Sequence, residues 1–363
     1  MLGGGPAAGA AALHLARSDF EVTLFVPERP GEKPCGGAVP AYLLDEVEPA
    51  GVEALPVVRS PRAVLENAAG RTVTLDLAGL RIFRRADLDA ATLDAAEAAG
   101  ARRVRSRARR LTFAEREVVV RTDEGEVAFD WLVAADGARG LSRRTLGLSP
   151  GATSLGLGAS LSGIEVETLT LGFPDLGDAY LWIFPRPGGC SVGIAYSEQL
   201  VSAGAARAAL ETFVERHLNR PFESFDGVRY RYPIPVYSAA SVRAAEAGVE
   251  QRVLLAGDAA GVADPLTREG IRHAARSGRL AADCLGTRLP AEYPRRLEAS
   301  MGAEMDRAQR AAELFFTDPI GQWMVPVCRS HPGVRRVLGD LLACRQPYRG
   351  LRRRLLRAAV DRG

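Results

Sequence analysis

Residues 252–282 read RVLLAGDAAGVADPLTREGIRHAARSGRLAA, and the reading of this stretch decides the fold. Residues 253–256 are a short apolar run of the kind that forms a buried strand, and the run ends at Gly257-Asp258. From Glu269 a run rich in Ala, Arg and Leu reads as a helix, with Gly270 and Ile271 at its mouth. A strand that delivers one acidic side chain, a Gly/Pro loop and a helix aimed back at that loop make a polar cradle. The helix end offers unpaired N–H groups and a partial positive charge to an electron-rich or anionic ligand, and Asp258 suits a ligand with hydroxyls. Taken alone, the same residues also read as an ordinary strand–loop–helix crossover with an incidental acid.

Two further stretches repeat the theme. The chain starts MLGGGPAAGAAALHLAR, in which Gly3, Gly5 and Ala8 fill a G-x-G-x-x-G/A pattern and residues 10–17 read as the following helix. Such a pattern supplies a tight turn, a close backbone approach to a pyrophosphate and a small residue for helix–sheet packing. Residues 21–26 alternate like a strand, and Glu28 stands about 20 residues past Ala8, where a ribose-binding acid belongs. The strand expected before Gly3 is reduced to Met1-Leu2; either the chain starts upstream of Met1 or the sheet is one strand short, and we expect the former. Residues 131–135 form a second buried-strand candidate, ended by Asp136-Gly137. A Gly-rich start and two strands that each finish in an acid and a glycine fit one ligand lying across the carboxyl ends of a parallel sheet.

At 363 residues the chain buries a sizeable core, with two domains as the prior. Its 47% hydrophobic and 25% charged residues are ordinary for a globular protein, and a net charge of +3 gives no case for nucleic acid. The charge is uneven: residues 332–363 carry nine Arg against Asp340 and Asp361, and Lys33 is the only lysine. Cys35, Cys190, Cys284, Cys328 and Cys344 are scattered without a C-x-x-C pair, so neither a disulfide framework nor a metal or iron–sulfur pattern is present, and a cytoplasmic setting is expected. No stretch approaches ~20 uninterrupted apolar residues, and residues 3–9 read as a loop, not a secretory signal.

In the EKPCGG stretch, Cys35, Gly36 and Gly37 form a loop able to approach a flat ligand, although a surface turn with a free cysteine has the same pattern. Residues 55–77 hold two alternating runs that suggest antiparallel strands, followed by a helix from near Asp87 to Gly100. Arg85 stands just before that helix, placed to reach a phosphate or to be a solvated flanking charge. Residues 104–129 read as a small meander. From 156 to 231 alternation dominates; Tyr180, Trp182 and Phe184 fall at i, i+2, i+4 and share one strand face, as core or as the wall of an apolar pocket. Helices are expected at 205–218 and 303–316, and Pro319, Pro326, Pro332 and Pro347 cut the tail into short helices. The last places Leu351, Leu355, Leu356 and Ala359 on one face amid arginines, a basic amphipathic helix suited to a membrane surface or to ordinary packing.

With these motifs assembled, the chain resembles the geranylgeranyl reductase family of FAD-dependent oxidoreductases, within the group shaped like p-hydroxybenzoate hydroxylase. The resemblance spans residues 3–282: GGGPAAG with Glu28 is similar to the ADP-binding fingerprint, KPCGG to the cysteine loop beside the flavin, and Arg85-Ala-Asp-Leu-Asp89 to an R-x-x-F-D pattern. ADGARGLSRR and GDAAGVADPLTREGI resemble the Asp-Gly and Gly-Asp motifs, and Tyr180-x-Trp182-x-Phe184-Pro185 with Gly193 the lipid-cavity signature. The resemblance implies an α/β fold: a Rossmann-like FAD/NAD(P)-binding domain with a parallel sheet, an inserted antiparallel-sheet substrate domain and a C-terminal helical tail. The expected division is 1–54, 81–150 and 240–300 for FAD, 55–80 and 151–239 for substrate, and 301–363 for the helical region. It implies Glu28 on the adenosine ribose, the Gly3–Gly5–Ala8 turn on the pyrophosphate, Arg85 near the phosphates, and Asp136, Gly137, Gly257 and Asp258 along the cofactor. Pro265 and the backbone to Gly270 and Ile271 would edge the isoalloxazine, and Tyr180, Trp182 and Phe184 would wall the substrate cavity. Cys35, with Gly36 and Gly37, would deliver or position a proton.

The implied activity is hydride transfer from reduced flavin to a C=C bond of a prenyl or other lipid-like substrate. NAD(P)H or a ferredoxin-like donor would be the transient reductant. A flavin-dependent hydroxylase on an aromatic or polyketide substrate and a flavin-binding scaffold without turnover are the alternatives. Three positions depart from the family pattern: Arg268 where many members have glycine, Ala195 for a second glycine and Gly140 for a serine.

Overall fold

The computed structural model describes residues 1–27, 33, 35–40, 52–149, 153–317 and 320–360. Leu2 is the sole strand-like residue before the first helix, α1 (Pro6–Ala16), and it bridges Phe25 and Ala134, both in parallel. Strand β1 (Thr23–Phe25) follows, then β2 (Ala38–Pro40), β3 (Val58–Asn67) and β4 (Thr72–Ile82). Helix α2 (Arg85–Ala98) leads to β5 (Arg102–Val104), and a three-stranded meander of β6 (Arg110–Phe113), β7 (Val118–Thr122) and β8 (Gly125–Phe129) precedes β9 (Leu132–Ala134). After the short α3 (Leu141–Thr145) come β10 (Thr153–Ser162), β11 (Leu169–Phe173), β12 (Ala179–Arg186) and β13 (Gly189–Tyr196). Helix α4 (Ala203–Leu218), β14 (Gly227–Pro235), α5 (Ala239–Glu250), β15 (Val253–Leu255) and α6 (Ile271–Gly286) complete the part that carries the motifs.

β1 pairs β5 and β9 pairs β15, all in parallel, and Leu2 joins the two pairs into one sheet ordered β5-β1-Leu2-β9-β15. β1, β9 and β15 are apolar and largely buried, as expected where helices cover a parallel sheet, whereas the edge strand β5 carries Arg102 and Arg103 and is partly exposed. α1 begins with Pro6 at its first turn, where the missing N–H is not needed, and is almost entirely buried. Small residues let it sit close to both neighbours: a Cβ on Gly9 would lie 2.6 Å from Thr92 of α2, and one on Gly278 of α6 would lie 2.2 Å from the Ala7 carbonyl oxygen.

The second sheet runs β14-β10-β13-β12-β11-β3-β4-β2. It is antiparallel apart from β3 and β11, which pair in parallel, so the expected antiparallel sheet is mixed. The β3–β11 pair is what fuses the hairpin before α2 to the strands after α3. On β12 the two-residue period turns Leu181 and Ile183 toward Leu210 and Phe213 of α4, which leaves Tyr180, Trp182 and Phe184 for the opposite face.

The C-terminal region continues with α7 (Tyr293–Leu297), α8 (Ala303–Thr317), α9 (Ile320–Ser330), α10 (Pro332–Leu342) and α11 (Leu351–Val360). α9 and α10 lie on β3 and β4, and α11 packs on α10. Three sequence expectations change here. Pro326 lies inside α9 and does not divide it. Arg85 is the first residue of α2, not a residue before it. Leu356 faces outward, because Leu355, Ala358 and Ala359 take the packed face and residue 356 stands about 100° further round the helix.

Candidate functional site

The carboxyl ends of Leu2, β9 and β15 open into Gly3, Asp136-Gly137 and Gly257-Asp258, and all of these line one cavity of about 990 Å³. Gly3 has φ +110°, and a Cβ there would lie 2.1 Å from the Ala135 carbonyl oxygen, so the first turn admits only glycine. Gly5 caps α1 without any side-chain hydrogen bond, leaving the first N–H groups of that helix open toward the cavity. Two cations stand at this mouth: a Cβ on Gly5 would lie 3.0 Å from Lys33 Nζ and 4.0 Å from the Arg85 guanidinium. Both lean on the buried Asp89, Arg85 at 3.0 Å and Lys33 at 3.6 Å. Burial opposes the charge of Arg85, but Asp89 and the Cys35 sulfur outweigh it and hold the guanidinium protonated.

The two acids differ. Asp136 accepts hydrogen bonds from the Ser142 amide at 2.9 Å and from its hydroxyl, so it caps α3. A Cβ on Gly140 would lie 2.2 Å from an Asp136 carboxylate oxygen, which explains the glycine found where the family pattern has serine. Asp258, by contrast, receives no hydrogen bond on its carboxylate from any described residue. Burial pushes its carboxyl above the ordinary range, although Arg85 and Lys33 pull it down.

The cysteine loop bridges the polar and apolar ends. Gly37 has φ +76° and donates its N–H to Cys35 Sγ at 3.3 Å. A Cβ on Gly36 would lie 2.1 Å from the Phe184 ring, so the loop rests flat on that aromatic. Beyond it the cavity is apolar, walled by Tyr180, Trp182 and Phe184, by Leu65 and Leu77 of the β3–β4 hairpin, and by Leu171. Trp182 donates Nε1–H to Ser191 Oγ at 3.1 Å and covers Gly193, where a Cβ would lie 2.2 Å from its ring; Ala195 pairs with Tyr180.

The loop before α6 closes the remaining side. The Tyr180 hydroxyl donates to the Thr267 carbonyl at 3.0 Å, and burial raises its pKa, so it stays protonated. Arg268 adopts φ +58°, a left-handed conformation that costs a side chain roughly 1–2 kcal/mol. Its guanidinium pairs with Asp178 at 2.6 Å and lies over the Phe316 ring at 5.5 Å. Glu269 lines the cavity but uses Oε1 to cap the Arg272 N–H at 2.8 Å, and burial raises its carboxyl against the pull of Arg272. Gly270 caps α6 without a side-chain bond, so Gly270 and Ile271 face the cavity with open backbone N–H groups.

Of the residues singled out in the sequence, Ala8 and Pro265 are buried and stand behind the cavity wall, and Glu28 lies outside the described residues. The others named for the site line the cavity together. The sequence reading missed the wall contributed by the C-terminal helices, namely Phe315, Phe316, Met324 and Leu338, and missed Asp178 and Tyr348. Tyr348 donates its hydroxyl to Asp264 at 2.9 Å and so ties the tail to the loop before α6. The Leu314-Phe315-Phe316 run, more apolar than one helix stripe requires, was the available signal.

No protein-family model matches the chain. It is 28% identical over 339 residues to digeranylgeranylglycerophospholipid reductase 2 of Methanothermobacter thermautotrophicus, covering 85% of each chain. It is 26% identical over 374 residues to the geranylgeranyl diphosphate reductase of Synechocystis, covering 90% of this chain and 88% of that one. The fold matches a geranylgeranyl bacteriochlorophyll reductase-like protein of Thermoplasma acidophilum with a TM-score of 0.73, 19% identity and 98% coverage of each chain. The chain is thus similar to geranylgeranyl reductases in sequence and in fold. A flavin-dependent brominase shares the fold as well, with a TM-score of 0.66, 18% identity and coverage of 98% and 97%.

The chain is an oxidoreductase similar to the geranylgeranyl reductases, and its residues fit a flavin dinucleotide. A turn closed to any side chain but hydrogen meets two cations at a helix N-terminus, where a pyrophosphate would lie. The unengaged Asp258 carboxylate would take polyol hydroxyls, and the open Gly270 and Ile271 N–H groups at the start of α6 would face electron-rich atoms of the ring. Among the described residues no cluster could hold a metal, and no helix is long and apolar enough to cross a membrane.

Proposed function

We propose that this protein is an FAD-dependent reductase of C=C bonds in a prenyl or other lipid-like chain. The observation that carries the reading is the continuity of one cavity from the Gly3 and Asp258 turns, past the Cys35 loop, into a chamber walled by Tyr180, Trp182 and Phe184. When bound, reduced flavin supplies the hydride. The chain supplies the rest. Lys33, Arg85 and the α1 N-terminus hold the phosphates, and Asp258 orients the polyol. The apolar wall excludes water and holds the alkene. Tyr180 spends its proton on the Thr267 carbonyl, and the Cys35 thiol, beside Arg85 on the loop that rests on Phe184, delivers or positions the proton for the second alkene carbon.

On this reading segments 1–54, 81–150 and 240–300 serve the cofactor, 55–80 and 151–239 the substrate, and 301–363 complete the chamber. The setting is cytoplasmic, beside a lipid phase. NAD(P)H or a ferredoxin-like protein is the transient donor. Halogenation is disfavoured, because Lys33, the only lysine, stands at the Gly5 turn and not in the chamber. The deciding experiment is anaerobic incubation of dithionite-reduced enzyme with prenyl lipids, followed by mass spectrometry. A product heavier by two hydrogens per double bond is expected. Hydroxylated product or rapid peroxide formation in air would instead establish the monooxygenase alternative, and failure to retain flavin the scaffold.

A further inference from the structure

The C-terminal helices have two faces. Facing in, Val325, Cys328, Val334, Leu355 and Ala358 share one apolar cluster with Leu65, Val73 and Leu75 of the β3–β4 hairpin. Facing out, Leu314 (67%), Trp323 (64%), Leu356 (60%) and Val360 (78%) are exposed. They are four of the five large apolar side chains at least 60% exposed among the described residues, and all four lie on the C-terminal helices. The same helices carry surface and cavity wall: exposed Leu314 precedes Phe315, and exposed Trp323 precedes Met324, and both Phe315 and Met324 line the cavity.

Charge indicates what covers this face. Arg352, Arg353 and Arg357 are exposed on α11, and no described acidic group pairs with any of them. A second copy of the chain would bring these uncompensated arginines together, whereas an anionic surface with an apolar interior satisfies both features. We propose that the outward face of α8, α9 and α11 docks on an anionic lipid surface, from which the chamber draws its substrate. The docking takes its purpose from the lipid-reductase reading but not its test, since flotation needs neither flavin nor turnover.

The test is flotation of the full-length, flavin-loaded protein with phosphatidylcholine vesicles, with or without phosphatidylglycerol. Wild type is expected to float with the anionic vesicles, to stay behind with the neutral ones and to be released by salt. Because each basic residue near such a surface is worth about fivefold in partitioning, Arg352→Glu with Arg353→Glu should weaken flotation by more than about tenfold. Leu356→Glu with Val360→Glu should do likewise. Both pairs should retain flavin, thermal stability and turnover of a short, water-soluble prenyl substrate, because none of these side chains lines the cavity. Wild type that stays soluble with anionic vesicles overturns the proposal, as do variants that float undiminished. A dimer abolished by the Leu356 and Val360 changes would also overturn it, by assigning the face to a second copy.

Discussion

Asp258 and Asp136 occupy equivalent places after parallel strands, yet only one is free for a ligand. Burial raises both carboxyls, but Asp136 is engaged by Ser142, whereas Asp258 has no hydrogen-bond donor among the described residues. A group raised on folding binds more protons in the native state than in the unfolded one between its unfolded value, about 3.9, and its native value. Its contribution to the cofactor-free protein is therefore lost as pH rises through that window and stays lost above it. Asp258→Asn should raise the melting temperature of the cofactor-free protein above the window and leave it little changed below. The same variant should weaken flavin binding by about 10- to 100-fold, the value of a hydrogen bond to a charged group. A lowered melting temperature with undiminished flavin would refute both halves. Cys35→Ala should keep flavin and slow alkene reduction by about 10²-fold, the low end for a positioned proton donor. Equal turnover would remove Cys35 from the mechanism. Gly36→Ala drives a methyl into Phe184 and should cost about 1–3 kcal/mol. Phe184→Leu in the same chain should recover most of that in a denaturant titration, and no recovery would mean that the loop does not rest on this ring.

Between elements, the loop before α6 is fastened to the central hairpin by Tyr180–Thr267 and by Arg268–Asp178. Arg268→Gly removes backbone strain but leaves Asp178 without its cation. We expect net destabilisation, with Arg268→Gly/Asp178→Asn recovering part of it and a coupling of about 1–3 kcal/mol in a double-mutant cycle. Additive effects would show that the pair holds nothing. The motif-bearing turns were legible in the sequence because each is a local pattern: a strand, an acid and a glycine, or glycines at fixed spacing. The hairpin aromatics were legible through their two-residue period. The parallel β3–β11 pair was not, because its partners lie about 100 residues apart and neither sequence shows which edge the other meets. Nor was the departure at Arg268 readable as an anchor, since its partner Asp178 lies on a turn with no motif of its own.

At the scale of the molecule, a parallel sheet supplies the polar end of the cavity, a mixed sheet supplies one wall, and the C-terminal helices supply the other. That last contribution was hidden because apolar residues at helical spacing look the same whether they meet a core or a cavity. It makes a prediction about chain length. Met324 projects from α9 into the apolar end, while Lys33, Arg85 and Asp258 stand at the other. A bulkier ring at 324 shortens the chamber without touching the turns, so Met324→Trp should keep full flavin and full activity on a short prenyl acceptor. For a long acceptor kcat/KM should fall by about tenfold or more, because one or two methylenes that no longer fit forfeit that much in an apolar pocket. The discriminating measurement is the ratio of kcat/KM for long and short chains. If both fall together, the substrate does not extend toward α9, and the chamber is oriented differently from the way its lining implies.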